Sequence, residues 1–250
     1  MKLITAARQK ATKALVYRTQ CALHHLLHRN EPYQFSTPYA TYAPWKTDSV
    51  FRQIYWKIFP YTMVDHYRCY ELWQLVEQTA SLRGSVIEVG VWRGGTGAMM
   101  AKRAESLGIK DPLYLCDTFE GVVKASAEDS IYRGGEHSDT SEKYVQQILD
   151  QLSLKNVKIL KGIFPDDTAH LIPDNERFRL CHVDVDVYES AKDVVDWVWE
   201  RLEVGGIVVY DDYGFMVCGG ITKFVNEQRQ LSDRVVIHNL NGHAIVIKTR

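Results

Sequence analysis

The stretch VIEVGVWRGGT (Val86–Thr96) joins a short apolar run to an acidic residue and three glycines. Glycines let a backbone turn tightly and approach a ligand, and a helix that begins there has free N–H groups. Three residues separate Gly90 from the next glycine, so this is not the dinucleotide fingerprint Gly-x-Gly-x-x-Gly. We interpret the stretch as the end of a strand that binds a ligand carrying an amino group and a carboxylate. Glu88 would lie near the ammonium group, and the loop amides would bind the carboxylate. A glycine-rich turn without a ligand is the alternative.

Similar apolar runs recur along the chain and alternate with stretches of helix length. The predicted strands are 86–90, 113–117, 157–161, 180–184, 207–210, 235–238 and 244–247, and the predicted helices are 66–82, 96–107, 141–152, 189–202 and 220–231. This alternation predicts a Rossmann-like α/β fold, with a mostly parallel seven-stranded sheet and helices on both faces. A hairpin-like segment joins the last two runs, which predicts one antiparallel strand.

The N-terminal part of the chain has a different character. Basic and apolar residues are interleaved over residues 1–29, which predicts one or two basic amphipathic helices. Residues 30–60 are rich in proline and aromatic residues, which predicts a linker or lid that covers a ligand cleft or anchors the arm to the core. We expect residues 1–60 to form this arm and lid segment and residues 61–250 to form the α/β domain. Packing of the arm on the domain or on a partner subunit is favoured over contact with a membrane surface.

The composition is that of an ordinary globular protein, with 46% hydrophobic residues, 24% charged residues and a net charge of −1. This balance does not favour a nucleic-acid partner, and no apolar run approaches the roughly 20 residues of a membrane span. The five cysteines form no Cys-x-x-Cys pair, which argues against a zinc site and a disulfide framework. We therefore expect a cytoplasmic protein, and the N-terminal arm favours a homo-oligomer.

An acidic residue ends the second predicted strand, in the stretch LCDTFEG (Leu115–Gly121). An acid at this position, Asp117, can accept hydrogen bonds from both ribose hydroxyls of a bound nucleoside. Capping of a helix is the alternative role, but Phe119 and Gly121 do not continue a helical pattern. We therefore prefer the ligand-binding role.

Acidic residues also end the fourth and fifth predicted strands, in VDVD (Val183–Asp186) and YDD (Tyr210–Asp212). Because parallel strands end at the same edge of a sheet, three or four carboxylates are expected to converge there. Unpaired carboxylates repel one another, and a hard cation such as Mg²⁺ or Ca²⁺ would remove the conflict. The alternative is that these acids cap the following helices or bond to the backbone and to lysine.

At these residues the chain resembles the macrocin O-methyltransferase family, metal-dependent enzymes that methylate sugar hydroxyls in antibiotic tailoring. The matching stretches are PYTM (60–63), VIEVGVWRGGT (86–96), DTFEG (117–121), FPDDT (164–168), DVDVYESA (184–191) and VGGIVVYDDYG (204–214). They follow the order of the family over residues 60–230. Val122-Val123 departs from the proline-containing turn of the family, and the basic arm is an addition. Both departures lie near the acceptor side, so they concern the substrate rather than the cofactor.

The resemblance implies an O-methyltransferase that uses S-adenosylmethionine and Mg²⁺ or another hard divalent cation. Asp184, Asp211 and Asp212 would hold the metal, and Asp184 would also be the general base for the acceptor hydroxyl. The residues implied for the S-adenosylmethionine pocket are Thr62, Met63, Glu88, Gly90, Thr96 and Asp117. His137, in the loop 122–140, is a further catalytic candidate on the acceptor side, and the role of Asp186 is left open.

The acceptor implied by the resemblance is a hydroxyl of a sugar or of a glycosylated metabolite. Methylation of a catechol or phenol is an alternative, because vicinal hydroxyls that chelate a metal would leave the same sequence pattern. A non-catalytic assembly protein with a nucleotide-binding fold is a second alternative. The three candidate metal ligands are present together with Glu88 and Asp117, which counts against that second alternative.

Overall fold

The computed structural model describes residues 2–27, 32–33 and 40–250. The chain divides into two compact units, Met1–Tyr42 and Ala43–Arg250. In the first unit, one helix, α1, extends over Lys2–Leu27, in agreement with the helical arm expected from the sequence. None of the helices formed by the described residues has the length and apolar character needed to cross a membrane.

The second unit contains a seven-stranded sheet. Its strands are β1 (Ser85–Val89), β2 (Leu113–Asp117), β3 (Val157–Lys161), β4 (Phe178–Val183), β5 (Leu202–Tyr210), β6 (Arg234–His238) and β7 (Ala244–Lys248). The strand order is β3-β2-β1-β4-β5-β7-β6. Strands β1 to β5 pair in parallel, and β7 is antiparallel to both of its neighbours, β5 and β6. The predicted fold class, including one antiparallel strand, is confirmed.

Helices cover both faces of this sheet. They are α2 (Ser49–Ile58), α3 (His66–Gln78), α4 (Gly95–Ser106), α5 (Glu142–Gln151), α6 (Tyr188–Trp199) and α7 (Gly219–Gln228). Successive side chains of a strand point to opposite faces, so Val86 packs in a cluster with α2 to α5, and Ile87 packs in a second cluster with α6 and α7. Both clusters are apolar, as a sheet that is buried on two sides requires.

Helix α2 belongs to the core of the second unit. Asp48 caps its N-terminus by accepting a hydrogen bond from the Phe51 amide at 2.8 Å. Phe51, Ile54 and Ile58 are buried against α3 and α4. The compact unit therefore begins before residue 60, where the sequence suggests the boundary, and Phe51 is one aromatic residue of that segment that packs in the core.

The strands that end at the predicted site are held together beyond their last paired residues. The Gly90 amide donates to the Cys116 carbonyl, and the Asp184 amide donates to the Val89 carbonyl at 2.9 Å. Gly90 has a φ of 85°, and a Cβ at this position would lie 1.7 Å from the Asp184 carbonyl oxygen. A glycine is required here because any side chain would push the ends of β1 and β4 apart.

Candidate active site

A cleft with an empty volume of about 710 Å³ opens at the carboxyl ends of β1, β2 and β4. Gly90, Asp117 and Asp184, each from one of these strand ends, line it together with His137 from the long loop 118–140. Ligands of open parallel sheets bind at this edge. This volume includes the open mouth of the cleft, where it meets solvent.

Three of the six residues implied for the cofactor pocket line this cleft: Met63, Gly90 and Asp117. The other three, Thr62, Glu88 and Thr96, are not among its lining residues. The Thr62 hydroxyl accepts a hydrogen bond from the Val64 amide at 3.0 Å, and Thr96 is buried in the first turn of α4. The direct contact of these three residues with a cofactor stays a prediction.

The Asp117 carboxylate organises the glycine-rich loop after β1. Its Oδ2 accepts hydrogen bonds from the Val91 and Trp92 amides at 2.7 and 2.8 Å, and its Oδ1 accepts one from the Phe119 amide at 2.6 Å. Burial raises the pKa of this carboxyl, against the opposing effect of the three amides. An ionised carboxylate accepts about four hydrogen bonds, so Asp117 has room for one ligand hydroxyl rather than two. The Val91 and Trp92 amides of the loop already donate to Asp117, so they are not available to a ligand.

Glu88 is fully buried and faces His182 rather than the cleft. The two residues are in register on β1 and β4, and Glu88 Oε1 lies 2.8 Å from His182 Nδ1. Glu88 Oε2 has no hydrogen-bond partner among the described residues. The role of Glu88 beside an ammonium group therefore stays a prediction, and its observed contact is with the histidine.

The carboxylates of Asp184, Asp211 and Asp212 converge at the ends of β4 and β5. Each offers an oxygen atom within 4.8 Å of the other two. Asp184 is half-buried and lines the cleft, whereas Asp211 and Asp212 are buried. Burial, followed by the charges of Asp211 and Asp212, raises the pKa of Asp184 well above its ordinary value. Burial and the carboxylates of Asp186 and Asp211 likewise raise the pKa of Asp212.

Asp211 differs from its two neighbours because positively charged side chains surround it. Arg68 of α3 forms a buried ion pair with its Oδ2, and His243 Nε2 and His182 Nε2 lie 2.8 and 3.4 Å from its Oδ1. Burial alone would raise the pKa of Asp211, but the two histidines and Arg68 hold it well below its ordinary value. The backbone and lysine partners suggested as an alternative for this acid are not its side-chain partners, which are arginine and histidine.

Both histidines have a second carboxylate on the other ring nitrogen. His182 faces Glu88, and His243 Nδ1 lies 2.5 Å from Glu71 Oε2. A carboxylate only accepts hydrogen bonds, so each of these ring nitrogens must carry a proton. Burial opposes this protonation, but the hydrogen bonds to Asp211 and Glu88 raise the pKa of His182 to about 10, and those to Asp211 and Glu71 also raise the pKa of His243. These contacts therefore favour the protonated form of both rings.

A second set of polar contacts lies on the acceptor side. The Tyr132 hydroxyl donates to Asp186 Oδ1 at 2.7 Å and lies 3.3 Å from His137 Nε2. His137 and Asp186 line the cleft, and Tyr132 is buried behind them. Buried Asp129 holds this loop in place, because its Oδ1 accepts a hydrogen bond from the Tyr188 amide at the start of α6. No sequence motif marked Tyr132 or Asp129.

The three converging acids fit a hard cation by their donor chemistry. Carboxylate oxygens are preferred by Mg²⁺ and Ca²⁺. Asp184 has no side-chain hydrogen bond to another described residue, and Asp212 accepts one, from the Asp186 amide at 3.0 Å. Oxygen lone pairs are therefore available at the cleft, where a cation would also offset the repulsion between Asp184 and Asp212.

Comparison with known proteins identifies a family and individual relatives. The macrocin-O-methyltransferase (TylF) family model matches residues 3–243. The chain is 28% identical to mycinamicin III 3''-O-methyltransferase of Micromonospora griseorubida over 190 residues, which cover 70% of this chain and 74% of that protein. It is 30% identical to 8-demethyl-8-(2,3-dimethoxy-alpha-L-rhamnosyl)-tetracenomycin-C 4'-O-methyltransferase of Streptomyces olivaceus over 175 residues, 65% of this chain and 66% of that protein. The structure of the O-methyltransferase NovP superposes with a TM-score of 0.66 at 27% identity, covering 76% of this chain and 83% of that one.

Proposed function

Because the chain belongs to the macrocin O-methyltransferase family, we propose that it transfers the methyl group of S-adenosylmethionine to a hydroxyl of a sugar or glycosylated metabolite, assisted by a hard divalent cation. The observation that carries the proposal is the convergence of the Asp184, Asp211 and Asp212 carboxylates beside the cleft. Without a metal, this arrangement places half-buried Asp184 next to buried Asp212, with no ion pair to a described residue at either carboxylate, and like charges so close repel each other.

The glycine-rich side of the cleft suits the cofactor. S-adenosylmethionine, when bound, supplies a methyl group on a positively charged sulfonium. Met63 and Gly90 would form the wall beside it, and Asp117 would accept a hydrogen bond from one ribose hydroxyl. The amides of Val91 and Trp92 are occupied by Asp117. The first-turn amides of α4 would then be candidate donors for the carboxylate of the cofactor.

The acidic side of the cleft suits activation of the acceptor. A divalent cation held by Asp184, Asp211 and Asp212 would lower the pKa of the acceptor hydroxyl and fix its direction. Asp184 lines the cleft without a competing hydrogen bond from a described residue, so it would accept the proton. His137 is the second candidate for proton transfer at this side. Alignment of the two reactants supplies about 7–11 kcal/mol of the barrier, more than a base provides.

The composition of the cleft favours a neutral sugar as the acceptor. None of the described residues that line it is a lysine or an arginine, although a nucleotide-linked sugar would bring a diphosphate that these side chains bind well. The relative from Streptomyces olivaceus has a rhamnosyl group in the name of its substrate. Both observations favour a glycosylated metabolite over a nucleotide sugar, and neither favours a catechol.

Methyl transfer to a panel of glycosides and catechols, with and without EDTA, tests the proposal. We expect EDTA to abolish the transfer to a glycoside and Mg²⁺ to restore it. Asp184→Asn should lower kcat by about a hundredfold or more, because both a metal ligand and the base are lost. Asp150→Asn, on the exposed face of α5, is the matched control and should leave the rate unchanged. Methylation that persists in EDTA would contradict the role of the metal, and a preference for catechols would contradict the acceptor class.

Two further expectations from the sequence stay predictions. They are a cytoplasmic location and assembly into a homo-oligomer through the N-terminal arm. We propose that the functional division into an arm and a methyltransferase domain also holds, with α2 included in the domain on the basis of its buried residues.

A further inference from the structure

The three acids of the proposed metal site have unequal surroundings, and this inequality is the starting point of an inference that rests on the proposed function. Asp211 contacts three cationic side chains: Arg68, His182 and His243. Asp184 and Asp212 have no ion pair with a described residue, although they lie at the same strand ends. The difference arises from tertiary contacts and not from the adjacent positions of Asp211 and Asp212 in the sequence.

Arg68 is fixed in place by several contacts. Its Nε donates to Asp65 Oδ2 at 2.8 Å, and Asp65 in turn caps the N-terminus of α3 through the amides of Tyr67 and Arg68. The guanidinium also lies over the ring of Phe215, 4.9 Å from its centroid. Since Arg68 is buried, its charge is little screened by solvent, and it acts on Asp211 as a permanent counter-ion.

The histidines extend the network to both sides of Asp211. His182 connects Asp211 to Glu88 of β1, and His243 connects it to Glu71 of α3. Glu71 also receives hydrogen bonds from Asn239 and Asn241 in the turn before β7. Arg68 and the two histidines thus contact four carboxylates, those of Asp65, Asp211, Glu88 and Glu71, of which Asp211 and Glu88 are buried. Among the described residues, Asp184 and Asp212 form no ion pair with any of these three side chains.

From these contacts we infer that Asp211 is a charge-compensated anchor that shapes the site, whereas Asp184 and Asp212 provide most of its affinity for a divalent cation. A metal gains little from a carboxylate that buried cations already neutralise, and it gains much from two carboxylates that otherwise repel each other. Arg68 is then a positioning residue, which orders Asp211 and weakens metal binding at the same time. The unequal pKa directions of the three acids agree with this inference.

Two measurements on the full chain test the ranking: Mn²⁺ binding by calorimetry and thermal unfolding in EDTA. Asp184→Asn and Asp212→Asn should each weaken Mn²⁺ binding by roughly tenfold or more, and each should raise the unfolding temperature in EDTA because repulsion is relieved. Asp211→Asn should weaken Mn²⁺ binding less than either, and it should lower the unfolding temperature because Arg68 and both histidines lose a partner.

If Asp211→Asn does not fold, Arg68→Met still tests the ranking of the three acids. It should tighten Mn²⁺ binding while it lowers the unfolding temperature, and Arg68→Lys should restore part of the loss in stability. Arg179→Met is the matched control, because Arg179, near the start of β4, is a buried arginine that pairs with Asp111. It should lower the unfolding temperature and leave Mn²⁺ affinity unchanged.

The outcomes separate this inference from the proposed function. Mn²⁺ binding by the unaltered chain, with equal losses in the three aspartate variants, would overturn the ranking and leave the metal in place. Absence of Mn²⁺ binding in the unaltered chain would overturn both the metal and the ranking. Asp211→Asn with a raised unfolding temperature in EDTA would show that its charge is not compensated, and would overturn the inference by itself.

Discussion

At the scale of single residues, left-handed backbone conformations occur on both the cofactor side and the acceptor side of the cleft. Trp92, His137 and Asp186 line the cleft and have φ values of 47°, 61° and 65°, in the left-handed region that non-glycine residues rarely adopt. Such conformations persist where surrounding contacts enforce them, and they concentrate at functional sites. Tyr132 connects two of these residues, because its hydroxyl touches the side chains of both Asp186 and His137.

Replacement of Tyr132 by phenylalanine tests this arrangement. We expect kcat to fall by about tenfold, because Asp186 and His137 lose the group that orients them, whereas the fold loses only one hydrogen bond. Tyr188→Phe is the matched control, since its hydroxyl bonds only to Glu227 at an exposed position among the described contacts. Steady-state kinetics of both variants provide the comparison. An unchanged kcat in Tyr132→Phe would show that the contact has no part in turnover.

The buried imidazole of His182 predicts how the stability of the metal-free protein depends on pH. The folded pKa of about 10 exceeds the ordinary value, so the contribution of this group is fully present below the unfolded pKa of about 6.5. The contribution is lost as pH rises through 10. Denaturant unfolding in EDTA should show a smaller loss of unfolding free energy between pH 6 and 10 in His182→Asn than in the unaltered chain. Parallel curves for the two proteins would contradict a charged His182.

Only some of the site residues could be predicted from the sequence. Asp184, Asp211 and Asp212 were predictable because strand ends of a parallel sheet share one edge, and each acid follows a buried run. Arg68 lies 143 positions before its partner Asp211, on a helix with no motif, so no local pattern connects them. Glu71 and His243 are likewise joined only by the fold, 172 positions apart. The charge balance of the site was therefore not predictable.

At the scale of elements, α2 gives a test of where the α/β domain begins. Phe51 is 2% exposed and packs against Tyr70 and Trp73 of α3. Phe51→Ala should lower the free energy of unfolding by about 3–5 kcal/mol, as truncation of a buried aromatic ring does. Val50→Ala, at the neighbouring exposed position, should change it by less than about 0.5 kcal/mol. Similar values for the two variants in denaturant titrations would contradict a core role for α2.

The elements of the α/β domain were largely predictable, with the exception of α2 at residues 49–58. The run 113–117 matches β2, because a strand buried on both faces leaves a nearly continuous apolar signal. The run 157–161 matches β3, an edge strand in which Lys158 and Lys161 are exposed. Residues 49–58 contain aromatics in a proline-rich surrounding, which predicted a linker or lid. Tertiary burial of Phe51 and Ile54 instead stabilises a helix there, and the sequence pattern alone does not reveal such burial.

At the scale of the whole molecule, one charge network connects distant parts of the second unit. It joins α3, β1, β4, the end of β5 and the β6–β7 turn through Arg68, Glu88, His182, Asp211 and His243. The sheet order makes this possible, because β1, β4, β5 and β7 are consecutive neighbours. Asp211, one of the three acids proposed to hold a metal, is thus fixed by the same contacts that join these elements.

This coupling predicts that a bound cation stabilises the entire α/β unit. A ligand that binds only the folded state at a hundred times its Kd adds about 2.7 kcal/mol to the free energy of unfolding. We expect Mg²⁺ to produce a gain of this size in the unaltered chain and a much smaller gain in Asp184→Asn. Thermal unfolding over a range of Mg²⁺ concentrations measures both. Equal gains in the two proteins would indicate binding elsewhere.

The most direct test of the central claim is a crystal structure with S-adenosylhomocysteine and Mn²⁺, in which anomalous scattering locates the metal. We expect one anomalous peak in the cleft, within metal–ligand bonding distance of carboxylate oxygens of Asp184 and Asp212, and the nucleoside beside Asp117. We also expect Asp211 to keep its contacts with Arg68 and His243. A nucleoside in the cleft with no anomalous peak beside Asp184 would contradict the claim that these acids hold a metal.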